Sequence, residues 1–210
     1  MKILSIADIH GSQYRLNIAL KNIEKYSPDL MVICGDITQF GPADTAIYIL
    51  NQIKIKTLAI HGNIDSDDVL KAIETSKAIN IHLKKEIVDS IPFIGLGGNI
   101  NILSDSKIKI KVNNTHKTLN EIIDKSTVLV THIPPYGLQD KIFLGLHSGS
   151  KEIKKIINKY SPRLVLCGHI HENPGFIKYN NTTIVNCSIG KTGSGAIIEL
   201  NNKIKVKMLY

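Results

Sequence analysis

Five times along this chain a short apolar run, rich in β-branched residues, stops abruptly at a glycine, aspartate or histidine. No other feature of the sequence restricts the fold as much. The runs are Lys2–Ala7, Leu30–Cys34, Thr57–Ile60, Thr127–Thr131 and Arg163–Cys167. Each is nearly continuously apolar, which predicts a strand covered on both faces. Stretches with helical spacing separate the first three. Ser12–Tyr26 places apolar Leu16, Ile18, Leu20 and Ile23 close to helical spacing, with Ser12 as N-cap. Pro42–Ile53 has proline at its start, and Ser66–Glu74 is a shorter helix. Strand, helix, strand in that order predicts a mostly parallel sheet.

The second half is less regular. Ile91–Leu96 reads as a strand ending in GLGGN, Thr118–Lys125 as a helix, and Ser150–Tyr160 as another. After Gly175, four short strands follow in GFIKYN, TTIVNCS, AIIELNN and KIKVKML, with a hairpin turn at Asn201–Asn202. Two sheets facing each other between helical layers suit this order. No repeat, linker or low-complexity segment divides the chain, so residues 1–210 are expected to form a single domain.

The formal charge of +8 favours anionic partners. Much of it is scattered, however, and two lysine clusters alternate with apolar residues: Lys107/Lys109/Lys111 and Lys203/Lys205/Lys207. A period of two puts each cluster on one solvated face of a strand. With aromatics at 5% and no tryptophan, base-stacking platforms are scarce, which argues against a dedicated nucleic-acid binder. The N-terminal lysine and apolar run resemble a signal peptide only until Asp8 and His10 interrupt them. No stretch is apolar for long enough to cross a membrane, so no membrane partner is expected. Three cysteines without paired spacing suit a reducing cytoplasm. Cys34 and Cys167 each precede a strand-end glycine and read as small buried hydrophobes.

The polar residues that end the strands are chemically consistent. They are Asp8 and His10, Gly35 and Asp36, Gly62 and Asn63, His132, then Gly168, His169 and His171. Ligands of α/β sheets bind beyond the carboxyl ends of the strands. Carboxylate, amide oxygen and imidazole without thiolate suit Mn, Fe, Co, Ni or Zn. Seven such groups are too many for one tetrahedral zinc but suit two divalent ions, roughly 4 Å apart, that share a ligand. Residues i and i+2 of a strand point to the same side, so Asp8/His10 and His169/His171 are each expected to aim both side chains inward, with Gly168 letting the backbone turn. Asp8 and Asp36 supply two negative charges against four on the ions. The site would therefore attract phosphate and acidify a bound water.

With DIH at 8–10, GD at 35–36, GNID at 62–65, TH at 131–132 and GHIH at 168–171, the chain resembles the calcineurin-like metallophosphoesterase family. The small size, with THIPPYG and GHIHENPG, is similar to a prokaryotic or archaeal branch. The resemblance implies a four-layer αββα sandwich of two mixed sheets flanked by helices. By position it implies that Asp8, His10 and His171 hold one ion, that Asp36 bridges, and that Asn63, His132 and His169 hold the other, manganese being the foremost metal. It also implies a phosphoesterase, phosphodiesters included, working by in-line attack of a bridging hydroxide on a small phosphate ester.

One position departs from the family pattern. The family usually has histidine after the motif asparagine, where this chain has Ile64, which cannot protonate a leaving group. Such acid help is worth typically 10²–10⁴-fold. His147, in GLHSGS, is the candidate substitute, and Asp65 is expected to lack the histidine it would orient. The retromer subunit that resembles this family also lacks that histidine and works through protein contacts. A binding scaffold and a nuclease therefore stand as alternatives. His61 reads as packing beside the site, while His82 and His116 read as surface residues. GKT at 190–192 lacks the earlier glycine and following helix of a phosphate loop, and GLGGN is expected to form a tight turn bordering the site.

Overall fold

The computed structural model describes residues 1–98, 108–112, 115–191 and 193–210. In chain order its elements begin with β1 (Lys2–Ile6), α1 (Gln13–Tyr26), β2 (Leu30–Cys34), α2 (Ala43–Gln52), β3 (Thr57–Ile60), α3 (Asp67–Thr75) and β4 (Ile79–Asn80). Next come β5 (Lys85–Val88), β6 (Ile91–Leu96), β7 (Lys109–Val112), β8 (Thr115–Thr118), α4 (Leu119–Ile122), β9 (Val128–Thr131) and α5 (Lys151–Tyr160). The last are β10 (Leu164–Cys167), β11 (Gly175–Tyr179), β12 (Thr182–Asn186), β13 (Ala196–Leu200) and β14 (Ile204–Met208).

One six-stranded sheet runs β14-β13-β1-β2-β3-β4, and the other β11-β12-β10-β9-β6-β5. In the first, β1 to β4 are parallel and β13 and β14 extend the sheet antiparallel. In the second, β12, β10, β9 and β6 are parallel, with antiparallel strands at both edges. Both sheets are mixed, as anticipated. Alternate side chains divide the apolar residues into three cores. Leu4, Ile6, Met31 and Ile33 face α1, α2 and α3, packing against Leu16, Ile49 and Val69. Ile3, Val32 and Leu58 meet Phe93, Val130 and Leu166 between the sheets. Ile94, Leu129 and Val165 pack beneath α4 and α5 against Leu119, Ile153 and Ile157. The layers are α, β, β, α, and burial on both faces explains why the inner strands read as unbroken apolar runs.

Local chemistry sets the element ends. Ser12 Oγ accepts from Arg15 N at 3.4 Å, capping α1, and Ser150 does the same for α5 through Ile153 N at 3.2 Å. The helix expected over 118–125 is shorter. Thr118 and Glu121 form a capping box, but Ile123 is already extended (φ −90°, ψ 131°). Asp124 ends the helix by accepting from Ser126 N at 2.8 Å, a local bond that competes with the helical ladder. Lys205 and Lys207 are exposed on the edge strand β14, and Lys109 and Lys111 on β7, while Lys107 lies outside the described residues. Cys34, Cys167 and Cys187 are free and buried. No helix of the described residues is long and apolar enough to cross a membrane.

His82 corrects an expectation. It is half-buried, its ring stacks edge-on against His61 with centroids 4.4 Å apart, and its Nδ1 accepts from Gly97 N at 3.0 Å. His116 is exposed, as expected. Burial opposes the cation and drops the His82 pKa from 6.5 to about 4, with His61 and Lys84 adding to the effect. A histidine depressed in the folded state makes stability fall as pH falls from about 6.5 toward about 4. The whole span would be worth ~3 kcal/mol, but the ring is partly exposed and ~1 kcal/mol is expected. Urea unfolding at pH 7 and pH 4.5 should show that loss in the native chain and a smaller one in His82→Gln.

Candidate metal centre

The strands end before the polar residues begin. β1 stops at Ile6 and β10 at Cys167, so Asp8/His10 and His169/His171 do not share a strand face, contrary to what strand periodicity predicts. Asp8 (φ 67°), His10 (φ 53°), Asp36 (φ 51°) and His169 (φ 67°) all take left-handed backbone instead. For non-glycine residues this costs of order 1 kcal/mol each, and such strain gathers at functional sites. Gly168 also works differently from expectation. Its Cβ would lie 2.2 Å from Ala7 Cβ, so glycine permits close approach of the two sheets, and His169 makes the turn.

All seven side chains converge. Ligand atoms of Asp8, His10 and His171 lie within 4.8 Å of one another, as do those of Asp36, His132 and His169. His10 Nε2 is 3.1 Å from His171 Nε2, and Asp8 Oδ1 is 3.6 Å from His171 Nε2. In the second group Asp36 Oδ2 is 3.3 Å from His132 Nε2, and Asn63 Oδ1 is 2.8 Å from the same nitrogen. The same Asp36 oxygen lies 4.0 Å from His10 Nε2, so Asp36 stands between the two groups.

The electrostatics follow from burial and pairing. Burial opposes the His132 cation, but the Asp36 hydrogen bond and the charges of Asp36 and Asp8 overcome it, pushing the pKa up to about 9. Both ring nitrogens then donate, Nδ1 to Cys34 O at 2.8 Å and Nε2 toward Asn63. Burial would raise the Asp8 pKa, but His171, His132 and Ser188 hold it below its ordinary value. The hydrogen bond with Asp8 raises His171, while burial lowers His10 and His169. These groups fit divalent ions. Two carboxylates face four imidazoles and an amide oxygen in two compact sets, and the buried Nδ1 of His10 has no hydrogen-bond partner among the described residues.

Several supporting roles gave no sequence signal. Asp65 has no histidine to orient, but its carboxylate accepts from Ile37 N (3.0 Å), Thr38 N (2.8 Å), Thr38 Oγ1 (2.9 Å) and Gly62 N (2.8 Å). It thereby joins the loop of Asp36 to the loop of Asn63. Arg15 ties the Asp8 turn to the loop after β12, donating to Asp8 O at 3.2 Å and Gly190 O at 2.6 Å. Asn186 Nδ2 holds the GHIH turn through Ile170 O at 2.8 Å. Most of these contacts cross 16 or more residues, and no local pattern announces them. Gly97 and Gly98 do pack on His61 beside the site, while Asn99 of GLGGN lies outside the described residues.

His147 is placed differently from the seven. Its Nδ1 meets Asp140 Oδ1 at 2.6 Å and its ring lies 5.5 Å from that of Tyr136. Asp140 is buried and also accepts from Gly137 N and Gly149 N, both at 2.9 Å. No hydrogen bond or ring contact of His147 among the described residues reaches the cluster.

The fold has known counterparts. A phosphatase of Danio rerio described as dimetal superposes with a TM-score of 0.67 at 13% identity, covering 99% of this chain and 95% of that one. A protein described as a novel archaeal phosphodiesterase gives 0.58 at 14% identity, with both chains fully covered. In sequence, the uncharacterized protein MJ1162 of Methanocaldococcus jannaschii is 35% identical over 202 residues, 90% of this chain and 88% of that protein. Residues 1–173, which carry all seven groups, match the calcineurin-like phosphoesterase family, and the chain belongs to it.

Proposed function

We propose that residues 1–210 form one cytoplasmic metallophosphoesterase domain that holds two divalent ions, manganese foremost, and hydrolyses small phosphate esters, diesters among them. One observation carries this reading: the two three-residue groups meet across Asp36. Asp8, His10 and His171 would hold one ion, His132, His169 and Asn63 the other, and Asp36 both. When bound, the ions supply Lewis acidity and an acidified water at neutral pH. The protein's own part is to fix the ligands. Left-handed backbone aims Asp8, His10, Asp36 and His169 inward, and Asp65 keeps Asn63 in register with Asp36. His132 must give up its Nε2 proton to bind, so metal uptake releases protons and weakens as pH falls. Free, buried cysteines suit the reducing compartment.

For the leaving-group proton the assignment falls on His147, since position 64 is isoleucine and Asp140 fixes the imidazole. Its contacts stay outside the cluster, so the expected contribution is modest. The test is a panel of phosphomonoesters and phosphodiesters with added Mn²⁺, alongside elemental analysis. Turnover that needs the metal is expected. His147→Asn should lose about tenfold on alkyl leaving groups and little on p-nitrophenyl esters. Two bound metals with no turnover of any ester would favour a scaffold, and salt-sensitive cleavage of DNA or RNA a nuclease.

A further inference from the structure

A groove of about 620 Å³ opens directly from His10, within the size range of small-molecule sites. Tyr14, Arg15, Gln39, Lys191 and Tyr210 line it, and none of its described lining side chains is acidic. A second cavity, of about 430 Å³, is lined by both signs of charge and touches none of the seven groups. Arg15 spends its guanidinium on Asp8 O and Gly190 O, so it brings positive charge to the groove and holds the wall in place. Lys191 is exposed and makes no ion pair among the described residues. Tyr14 and Tyr210 present aromatic faces at 75% and 80% exposure. The wall is fixed closely, because a Cβ on Gly190 would lie 2.5 Å from the His171 ring.

We infer that this groove receives a nucleotide-type ester group, with an aromatic base against Tyr14 and an anionic group at Lys191. The inference rests on the two-ion phosphoesterase reading, because the ester group retained on a phosphorus held beside His10 would run along this groove. A base on an aromatic ring is worth about 1–3 kcal/mol, and an ammonium suits a phosphate as a point charge. The cations and rings suit a nucleotide better than a simple alkyl group, which would leave them unused.

Two p-nitrophenyl diesters that share a leaving group test this. One is the 5′-phosphate ester of thymidine 3′-phosphate, whose free 3′-phosphate can meet Lys191, and the other the methyl phosphate ester. The native chain with Mn²⁺ should prefer the thymidine ester at least tenfold in kcat/KM. Tyr14→Ala and Lys191→Ala should each remove most of that preference while leaving the methyl ester unchanged. Calorimetric binding of thymidine 3′,5′-bisphosphate to the metal-free chain should weaken about tenfold or more in both variants. Turnover of both esters without preference overturns the groove assignment and leaves the phosphoesterase reading standing. Two bound metals without turnover overturn that reading, and the bisphosphate then decides the groove. Absent binding, or binding that neither variant changes, overturns it.

Discussion

Asp36→Asn is expected to lower kcat about 10³-fold or more with Mn²⁺ present and to leave at most one tightly bound ion per chain. Asp36 is one of two carboxylates among the seven groups, and its Oδ2 lies near ring nitrogens of both sets, at 3.3 Å from His132 and 4.0 Å from His10. Asparagine preserves the shape and removes the charge. One negative charge would then face two divalent ions, and the electrostatic stabilisation such centres supply is worth several kcal/mol. The substitution also has a readout independent of turnover. Asp36 is the chief cause of the raised His132 pKa, so in the metal-free variant that imidazole should titrate well below about 9 by NMR. A raised folded-state pKa stabilises the metal-free fold fully below 6.5 and loses that effect as pH rises through about 9, and Asp36→Asn should flatten this slope. Unchanged rates with unchanged metal content would remove the ligand assignment.

Gly62→Ala should be nearly as damaging, for a steric reason. A Cβ there would sit 1.9 Å from Asp36 Oδ1 and 2.3 Å from Asp36 N, distances that real contacts do not reach. Either the β3 loop or the Asp36 loop must move. Overpacking of this kind costs about 1–3 kcal/mol, and displaced ligands should cost at least 10²-fold in turnover. Gly145→Ala is the control. A Cβ there meets nothing within 4 Å among the described residues, so its positive φ of 74° should cost about 1 kcal/mol and leave activity intact. Urea midpoints and metal content separate the two cases.

The sequence made the inner strands legible because burial on both faces erases polar alternation, as in Leu30–Cys34. It made the seven candidate ligands legible because each follows such a run. It did not reveal how they reach the site. Strand periodicity suggested a shared face for Asp8 and His10, whereas left-handed backbone at both supplies the direction. Nor did it reveal β4, two residues long, or β5, whose Lys85 and Glu86 mask a strand. His82 looked like a surface residue because the partner it stacks on, His61, lies on a different strand end. Asp65 was read for a partner it lacks, while its actual task depends on amides 28 and 27 residues away.

That carboxylate makes the two halves of the pocket a single mechanical unit. Four donors from two separate loops end on one side chain, so tension on either loop is felt by the other. Shortening Asp65 would slacken both at once, and the chain could not loosen its grip on one cation while keeping the other taut.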